Sequence, residues 1–214
     1  MGFSPQKYCN PITNRLERLF FAHPDAIALY KEHPDVLLLD CTYKTNRFCM
    51  PLLNLCGVTG NKKTIQTALC FLSSEKKEDY EWAMTQFKEL LEKHNIPWPL
   101  SQVTDRELAL MNALDKIFPG VVHILCTWHV NMNILATCRK HFPKDLKDPK
   151  QTSPQGYITD PKWESFLKDW SALLDASTKD EYEIQLKSFR KHPTEAVDYI
   201  ESTWLIWKEK LVKY

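Results

Sequence analysis

The sequence lacks any apolar run approaching the ~20 residues that a membrane-spanning helix needs. Its start, MGFSPQKYCNPITNR, lacks the apolar core of a signal peptide. The Met-Gly opening also lacks the Ser or Thr that myristoylation favours at the sixth position, where Gln6 stands. Net charge is nearly absent, +1 from 28 Lys and Arg against 27 Asp and Glu. That excludes tight nucleic-acid binding by charge alone, so any handling of DNA must use local patches or other domains. There is no internal repeat and no low-complexity tract. An even cysteine count is missing too: seven are scattered at 9, 41, 49, 56, 70, 126 and 138. Several lie in apolar runs as small hydrophobes, which fits reduced thiols in an intracellular compartment.

What is present is an ordinary globular composition, 43% hydrophobic and 12% aromatic with seven tryptophans, in 214 residues. That length suits one substantial domain or one domain with an insertion. RLERLFFAHPDAIALYKE (15–32) reads as helical material broken at Pro24. DVLLLD (35–40) has the continuous apolar pattern of a strand buried on both faces. RFCMPLLNLCGV (47–58) and TIQTALCFLS (64–73) flank the turn signal TGNKK and predict a hairpin, with Pro51 demoting the first strand or placing it at an edge.

Tyr80, Ala83, Met84, Phe87, Leu90 and Leu91 recur at helical spacing, with Asn95 and Pro97 as the stop. LSQVTD (100–105) is a short strand, RELALMNALDKIFPG a second amphipathic helix, VVHIL (121–125) a fifth strand and CTWHVNMNILATCRKHF a third helix. Residues 143–161 are polar and rich in Pro and Lys, a linker. Three helices are expected near 162–175, 179–191 and 194–213.

The order, three strands followed by alternating helices and strands, predicts a ribonuclease H-like α/β fold with a mixed five-stranded sheet and a helical tail. Asp40 then ends the apolar run Val36–Leu39, and Asp105 ends a later strand, both at carboxyl ends where open α/β sheets form sites. If the strands are adjacent, the two anions need a cation between them, and Mg²⁺ or Mn²⁺ suits such oxygen ligands. Each aspartate equally suits a turn or a cap, Asp105 as the N-cap of the helix that follows.

An ordered motif set runs through residues 15–142: D-x-T-Y-K-T-N, P-L-L-N-x-x-G, T-D-R-E-x-A-L-M-N-A and F-P-x-x-x-H-x-x-C-x-W-H. It resembles the catalytic domain of Mutator-like element transposases. The resemblance implies a ribonuclease H-like fold, an Asp–Asp–Glu triad with two metal ions, and cleavage and strand transfer of DNA at terminal repeats and target. It also implies a nuclear location and leaves room for a transposase homo-oligomer, with no membrane partner. Asp40 matches the first acid and Asp105 the second.

The third acid departs from the pattern. The family's context, resembling T-S-x-x-E-x-x-H or T-N-x-x-E-S-x-N, does not occur before Tyr214. Glu164, Glu181, Glu183, Glu195, Glu201 and Glu209 stand in other contexts, so the third acid is expected beyond Tyr214. Tyr43, Lys44, Thr45 and Asn46 are either phosphate contacts or an ordinary turn, and Arg106 either faces phosphate or is solvated.

Cys126-x2-His129 and Cys138-x2-His141 formally invite a zinc site. On one helix, however, the pairs would lie ~18 Å apart, too far for one tetrahedral ion, and the geometry argues against zinc. Cys126 and His129 match the family's C-x2-H motif, which implies a place for His129 near the active site or DNA; core packing is the competing reading. The stripe of Trp163, Trp170, Trp204 and Trp207 with Phe166, Leu167, Leu173 and Leu174 is expected in a helix–helix core, the alternative being a surface for DNA or a second transposase subunit.

The expected organisation is an N-terminal helical segment (1–34), a transposase core (35–142), a linker (143–161) and a helical insertion (162–214). The expected function is a metal-dependent DNA transposase catalytic domain. The alternative is an inactive relic, or a domesticated regulator that binds DNA without cutting it.

Overall fold

The computed structural model describes residues 5–142 and 160–213. The chain divides into two compact units, Met1–Leu125 and Cys126–Tyr214. Most of the expected linker, residues 143–159, lies outside the described residues.

The first unit is a seven-stranded mixed sheet with three helices. In chain order its elements are β1 (Gln6–Cys9), β2 (Leu16–Phe21), α1 (Pro24–Lys31), β3 (Val36–Thr42), β4 (Leu52–Val58), β5 (Thr64–Phe71), α2 (Lys77–Lys93), β6 (Ser101–Thr104), α3 (Leu108–Ile117) and β7 (Val122–Leu125). The strand order is β1-β2-β5-β4-β3-β6-β7. The pairs β1–β2, β2–β5, β5–β4 and β4–β3 are antiparallel, whereas β6 runs parallel to both β3 and β7. Parallel pairs need a crossover, and α3 supplies the one between β6 and β7.

The expected five strands become seven because the expected N-terminal helical segment, 1–34, contributes two strands, β1 at Gln6–Cys9 and β2 at Leu16–Phe21, and is helical only in α1. LERLFF favours a helix locally, yet it pairs with β5 and drives Phe20 into the core, so tertiary pairing overrides propensity. Pro24 starts α1 rather than breaking a helix, since its missing N–H costs nothing in a first turn. Pro51 also departs from expectation. It precedes β4, which lies in the middle of the sheet, and its carbonyl accepts from Leu72 N at 2.9 Å. A proline just before a strand removes no ladder donor. In the β4–β5 turn the left-handed residue is Lys62, φ 62°, while Thr59 and Lys63 close it by a 2.8 Å bond.

One sheet face carries Leu37, Leu39, Leu53, Leu55, Ala68 and Cys70 against Tyr30 of α1, Tyr80, Met84 and Phe87 of α2, and Leu110 and Leu114 of α3. Gly57 lets Tyr30 lie on the sheet, because a Cβ there would sit 2.5 Å from its ring. Arg18 reaches from β2 to Asp79 at 2.5 Å, and Ser73 and Ser74 complete the bonding of that carboxylate.

The second unit is helical: α4 (Thr127–Cys138), α5 (Pro161–Leu174), α6 (Lys179–Phe189) and α7 (Thr194–Thr203), with short 3₁₀ turns at Arg139–His141 and Leu205–Lys210. The expected single helix over 194–213 therefore stops at Thr203. Asp160 caps α5 by accepting from Lys162 N at 3.0 Å and takes Arg139 on its other oxygen at 3.1 Å. Trp163, Phe166, Trp170 and Trp204 are buried with Phe189 and Ile200, as a helix–helix core requires, whereas Leu167 and Trp207 of the same stripe are half-buried.

Candidate active site at the carboxyl ends of two parallel strands

β3 and β6 pair in the register Val36↔Ser101, Leu37↔Gln102, Leu38↔Val103. Asp40 and Asp105 each stand two residues beyond the last of these pairs, at the same end of the sheet. Neighbouring strands lie ~4.8 Å apart, which sets the scale of their approach.

Asp40 is not a buried charge. Along β3, Leu37 and Leu39 are buried, Val36 and Leu38 half-buried, and Asp40 exposed. The expectation of a strand buried on both faces fails for the second face. The pleat resolves the cost of a carboxylate after four apolar residues: successive side chains alternate, so Leu39 enters the core and Asp40 leaves it. Across the sheet Asp40 pairs with Asn54 of β4. Asn54 Nδ2 donates to Thr42 Oγ1 at 3.0 Å, and Thr42 Oγ1 donates to Asp40 Oδ2 at 3.4 Å.

Asp105 is half-buried between β6 and α3, and Arg106 beside it is exposed. The residue that caps α3 is Glu107, which accepts from Ala109 N at 3.1 Å. Beneath Asp105, the Thr104 hydroxyl donates to the Asp105 carbonyl at 2.5 Å and lies 2.9 Å from Nε2 of buried His123 on β7. With the hydroxyl proton committed to the carbonyl, His123 carries its proton on Nε2, a tautomer assigned from the network.

After Asp40 the chain enters the Tyr43–Met50 loop. The Tyr43 phenol donates to Glu75, whose other oxygen accepts from the Tyr80 phenol at 3.2 Å. Burial pushes the Cys41 thiol up to about 12, with the Glu75 and Asp40 charges adding to it. Asn46 turns inward rather than outward. Its Nδ2 donates to the Met50 carbonyl at 2.7 Å, and its Oδ1 accepts from Phe48 N at 3.0 Å and Met50 N at 3.2 Å. Lys44 and Tyr43 are exposed.

Cys126 is the N-cap of α4 and His129 sits one turn in, half-buried, its ring 4.8 Å from that of Trp128. Both belong to the second unit. Cys138 packs at the far end of the helix, its thiol on the Ala196 carbonyl. Of the glutamates in that unit, Glu181 accepts from Ser177 N at 2.9 Å and Glu201 pairs with Arg190 at 2.7 Å. Among the described residues, no group of three or more His, Cys, Asp or Glu side chains is placed to hold a metal ion.

Asn54, Thr104 and His123 had no expected role, although each falls inside a quoted motif (P-L-L-N, T-D and F-P-x-x-x-H). Glu75 lies outside every motif, so no sequence signal pointed to it.

Residues 36–133 match the family model described as MULE transposase domain. That segment of the chain is similar to MULE transposase domains. The chain is 28% identical over 160 residues to Protein FAR1-RELATED SEQUENCE 5 of Arabidopsis thaliana, covering 73% of this chain and 19% of that protein. It is 22% identical over 129 residues to Protein FAR1-RELATED SEQUENCE 7 of the same plant, covering 60% of this chain and 16% of that one. A fungal protein, PKS-NRPS hybrid synthetase cheA of Chaetomium globosum, is 32% identical over 126 residues, 59% of this chain and 3% of its own length. The matched part of this chain thus spans less than a fifth of the length of each of these relatives. No helix among the described residues is long and apolar enough to cross a membrane.

Proposed function

We propose that this chain carries the first two acids of a ribonuclease H-like DNA transposase catalytic domain, Asp40 and Asp105, which hold divalent metal during phosphodiester cleavage and strand transfer. The observation that carries this reading is the parallel β3–β6 register, which leaves both aspartates two residues past Leu38↔Val103. The order β5-β4-β3-β6-β7 supports the fold: a first strand flanked by an antiparallel pair on one side and two parallel strands on the other.

The donor chemistry fits a hard cation. Mg²⁺ is commonly held by one or two carboxylates plus substrate phosphates, and two carboxylates at one sheet end meet that need. When bound, Mg²⁺ or Mn²⁺ supplies Lewis-acid stabilisation of charge on phosphoryl oxygens. The chain's own groups hold and orient: Asn54 and Thr42 steady the end of β3, and Thr104 with His123 steadies the end of β6. DNA is the substrate on this reading, and the nucleus its place of action.

Manganese binding followed by electron paramagnetic resonance tests it. Asp40→Asn and Asp105→Asn should each weaken Mn²⁺ binding at least ten-fold, and equal affinity in both variants overturns the assignment. The competing reading is a regulator that binds DNA without cutting it. Nicking of supercoiled DNA in Mn²⁺ by a chain extended past Tyr214, abolished by Asp40→Asn, decides for the enzyme.

A further inference from the structure

The Tyr43–Met50 loop presents two side chains that the reading above leaves without a role. Phe48 is 69% exposed, and the Arg47 guanidinium lies over its ring at 4.7 Å from the centroid. Single exposed apolar residues are common, but this one sits on a built support. The Tyr43 phenol ties the start of the loop to Glu75. Both ends of the Asn46 amide tie its close, bonding the Phe48 N–H, the Met50 N–H and the Met50 carbonyl. Lys44 and Cys49 take left-handed backbone, φ 57° and 55°, a conformation such residues rarely adopt unless their surroundings impose it. The loop therefore pays little ordering entropy on binding.

Position and charge narrow the partner. The loop joins the carboxyl end of β3 to β4, so it rises at the sheet end where Asp40 and Asp105 stand. It carries Lys44 and Arg47 and no acid. An exposed aromatic face backed by a guanidinium and a second cation matches a base with its phosphate. Stacking on an aromatic ring tolerates any base, and cationic neighbours hold the backbone. A base inside a duplex has no free face, so the ligand is an unpaired one.

We infer that the Tyr43–Met50 loop is a nucleobase-stacking finger, in which Phe48 and Arg47 receive an unpaired base and its phosphate from a DNA strand at the Asp40–Asp105 end of the sheet. The inference rests on the DNA-processing reading and adds strand-end or single-strand preference to it.

The test uses the whole chain and a single-stranded oligonucleotide containing 2-aminopurine, with anisotropy for affinity and fluorescence quenching for stacking. Phe48→Ala should weaken binding about ten-fold and abolish quenching, Phe48→Trp should retain both, and Arg47→Ala should weaken binding with a reduced salt dependence. The blunt duplex of the same sequence should bind more weakly than the single strand. Phe48 is exposed, so these variants should keep the wild-type circular dichroism. Unchanged affinity and quenching in Phe48→Ala, or preference for duplex, overturns the finger. The metal reading fails separately: loss of the Mn²⁺ difference in Asp40→Asn with stacking intact removes that assignment and leaves the finger standing.

Discussion

Removing the Thr104 hydroxyl should loosen the end of β6 without disturbing the packed face of the sheet. Thr104→Val is nearly isosteric, so the cavity term is small and the polar loss dominates. The hydroxyl bonds the Asp105 carbonyl at 2.5 Å and His123 Nε2 at 2.9 Å, and both Thr104 and His123 are buried. A typical hydrogen bond contributes about 1 kcal/mol net, and a buried donor stripped of its partner costs about 1–3 kcal/mol. The expected destabilisation is therefore about 2–4 kcal/mol on that scale, read as a lower urea midpoint with an unchanged slope. The ¹⁵N signals of the His123 imidazole should move, because Nε2 loses its acceptor. If Asp105 binds metal, Mn²⁺ affinity should fall as its backbone loosens, and Thr104→Ser should restore much of it. A change under ~0.5 kcal/mol, the level of an ordinary surface substitution, with an unmoved imidazole would refute the reasoning.

Three further outcomes follow from neighbouring geometry. Gly57→Ala should destabilise by about 1–3 kcal/mol, the usual cost of overpacking, because the new methyl meets a fully buried Tyr30 ring at 2.5 Å; a neutral or stabilising result by chemical denaturation would remove the clash argument. For Asp79, burial raises the carboxyl, but the hydrogen bonds from Ser74, Arg18 and Ser73 outweigh it and hold the group below the usual carboxylate range. Its stabilisation is therefore present above the ordinary carboxyl value and lost as pH falls through the depressed one. Asp79→Ala should cost about 3–5 kcal/mol at neutral pH, as breaking a buried pair does, and should flatten the acid limb of the stability profile. Asn46→Ala should raise amide exchange at Phe48 and Met50 while leaving the sheet's protection unchanged, and equal exchange at those two amides would show that Asn46 does not organise the loop.

The sheet was legible where local pattern and tertiary role agree. β3, β4, β5, β6 and β7 lie where apolar runs and turn signals put them, and α2 and α3 follow their helical stripes. β1 and β2 were not legible: Leu, Arg and Glu favour a helix, and LERLFF is a strand through its pairing with β1 and with the distant β5, with Arg18 reaching Asp79. The two aspartates were legible as strand-end acids. Their alignment was not, since it depends on a pairing between segments more than sixty residues apart, with β4, β5 and α2 in between. Asn46 shows the limit of motif matching. It falls within D-x-T-Y-K-T-N, which invites a DNA contact, yet its amide bonds inside the loop, and an exposed aromatic outside the motif, Phe48, follows two residues later.

The alignment of Asp40 and Asp105 at one sheet end depends on register, and register can be trapped chemically. Side chains alternate with a period of two, so a one-residue slip between β3 and β6 would send one aspartate to the opposite face. Leu38 and Val103 are registered partners with half-buried side chains, and Asp40 and Asp105 lie two residues beyond them. Neighbouring strands place paired Cα atoms ~5 Å apart, within the ~4.4–6.8 Å that a disulfide spans. The double variant Leu38→Cys with Val103→Cys should therefore close a cross-link under mild oxidation, found as a joined peptide by mass spectrometry. Leu38→Cys with Thr104→Cys should not close, because Thr104 is buried on the other face of the pleat. Native thiols do not confuse the outcome, since the joined peptide identifies its own two positions. A cross-link in the slipped pair and none in the registered pair would separate the aspartates and remove the physical basis for a shared cation.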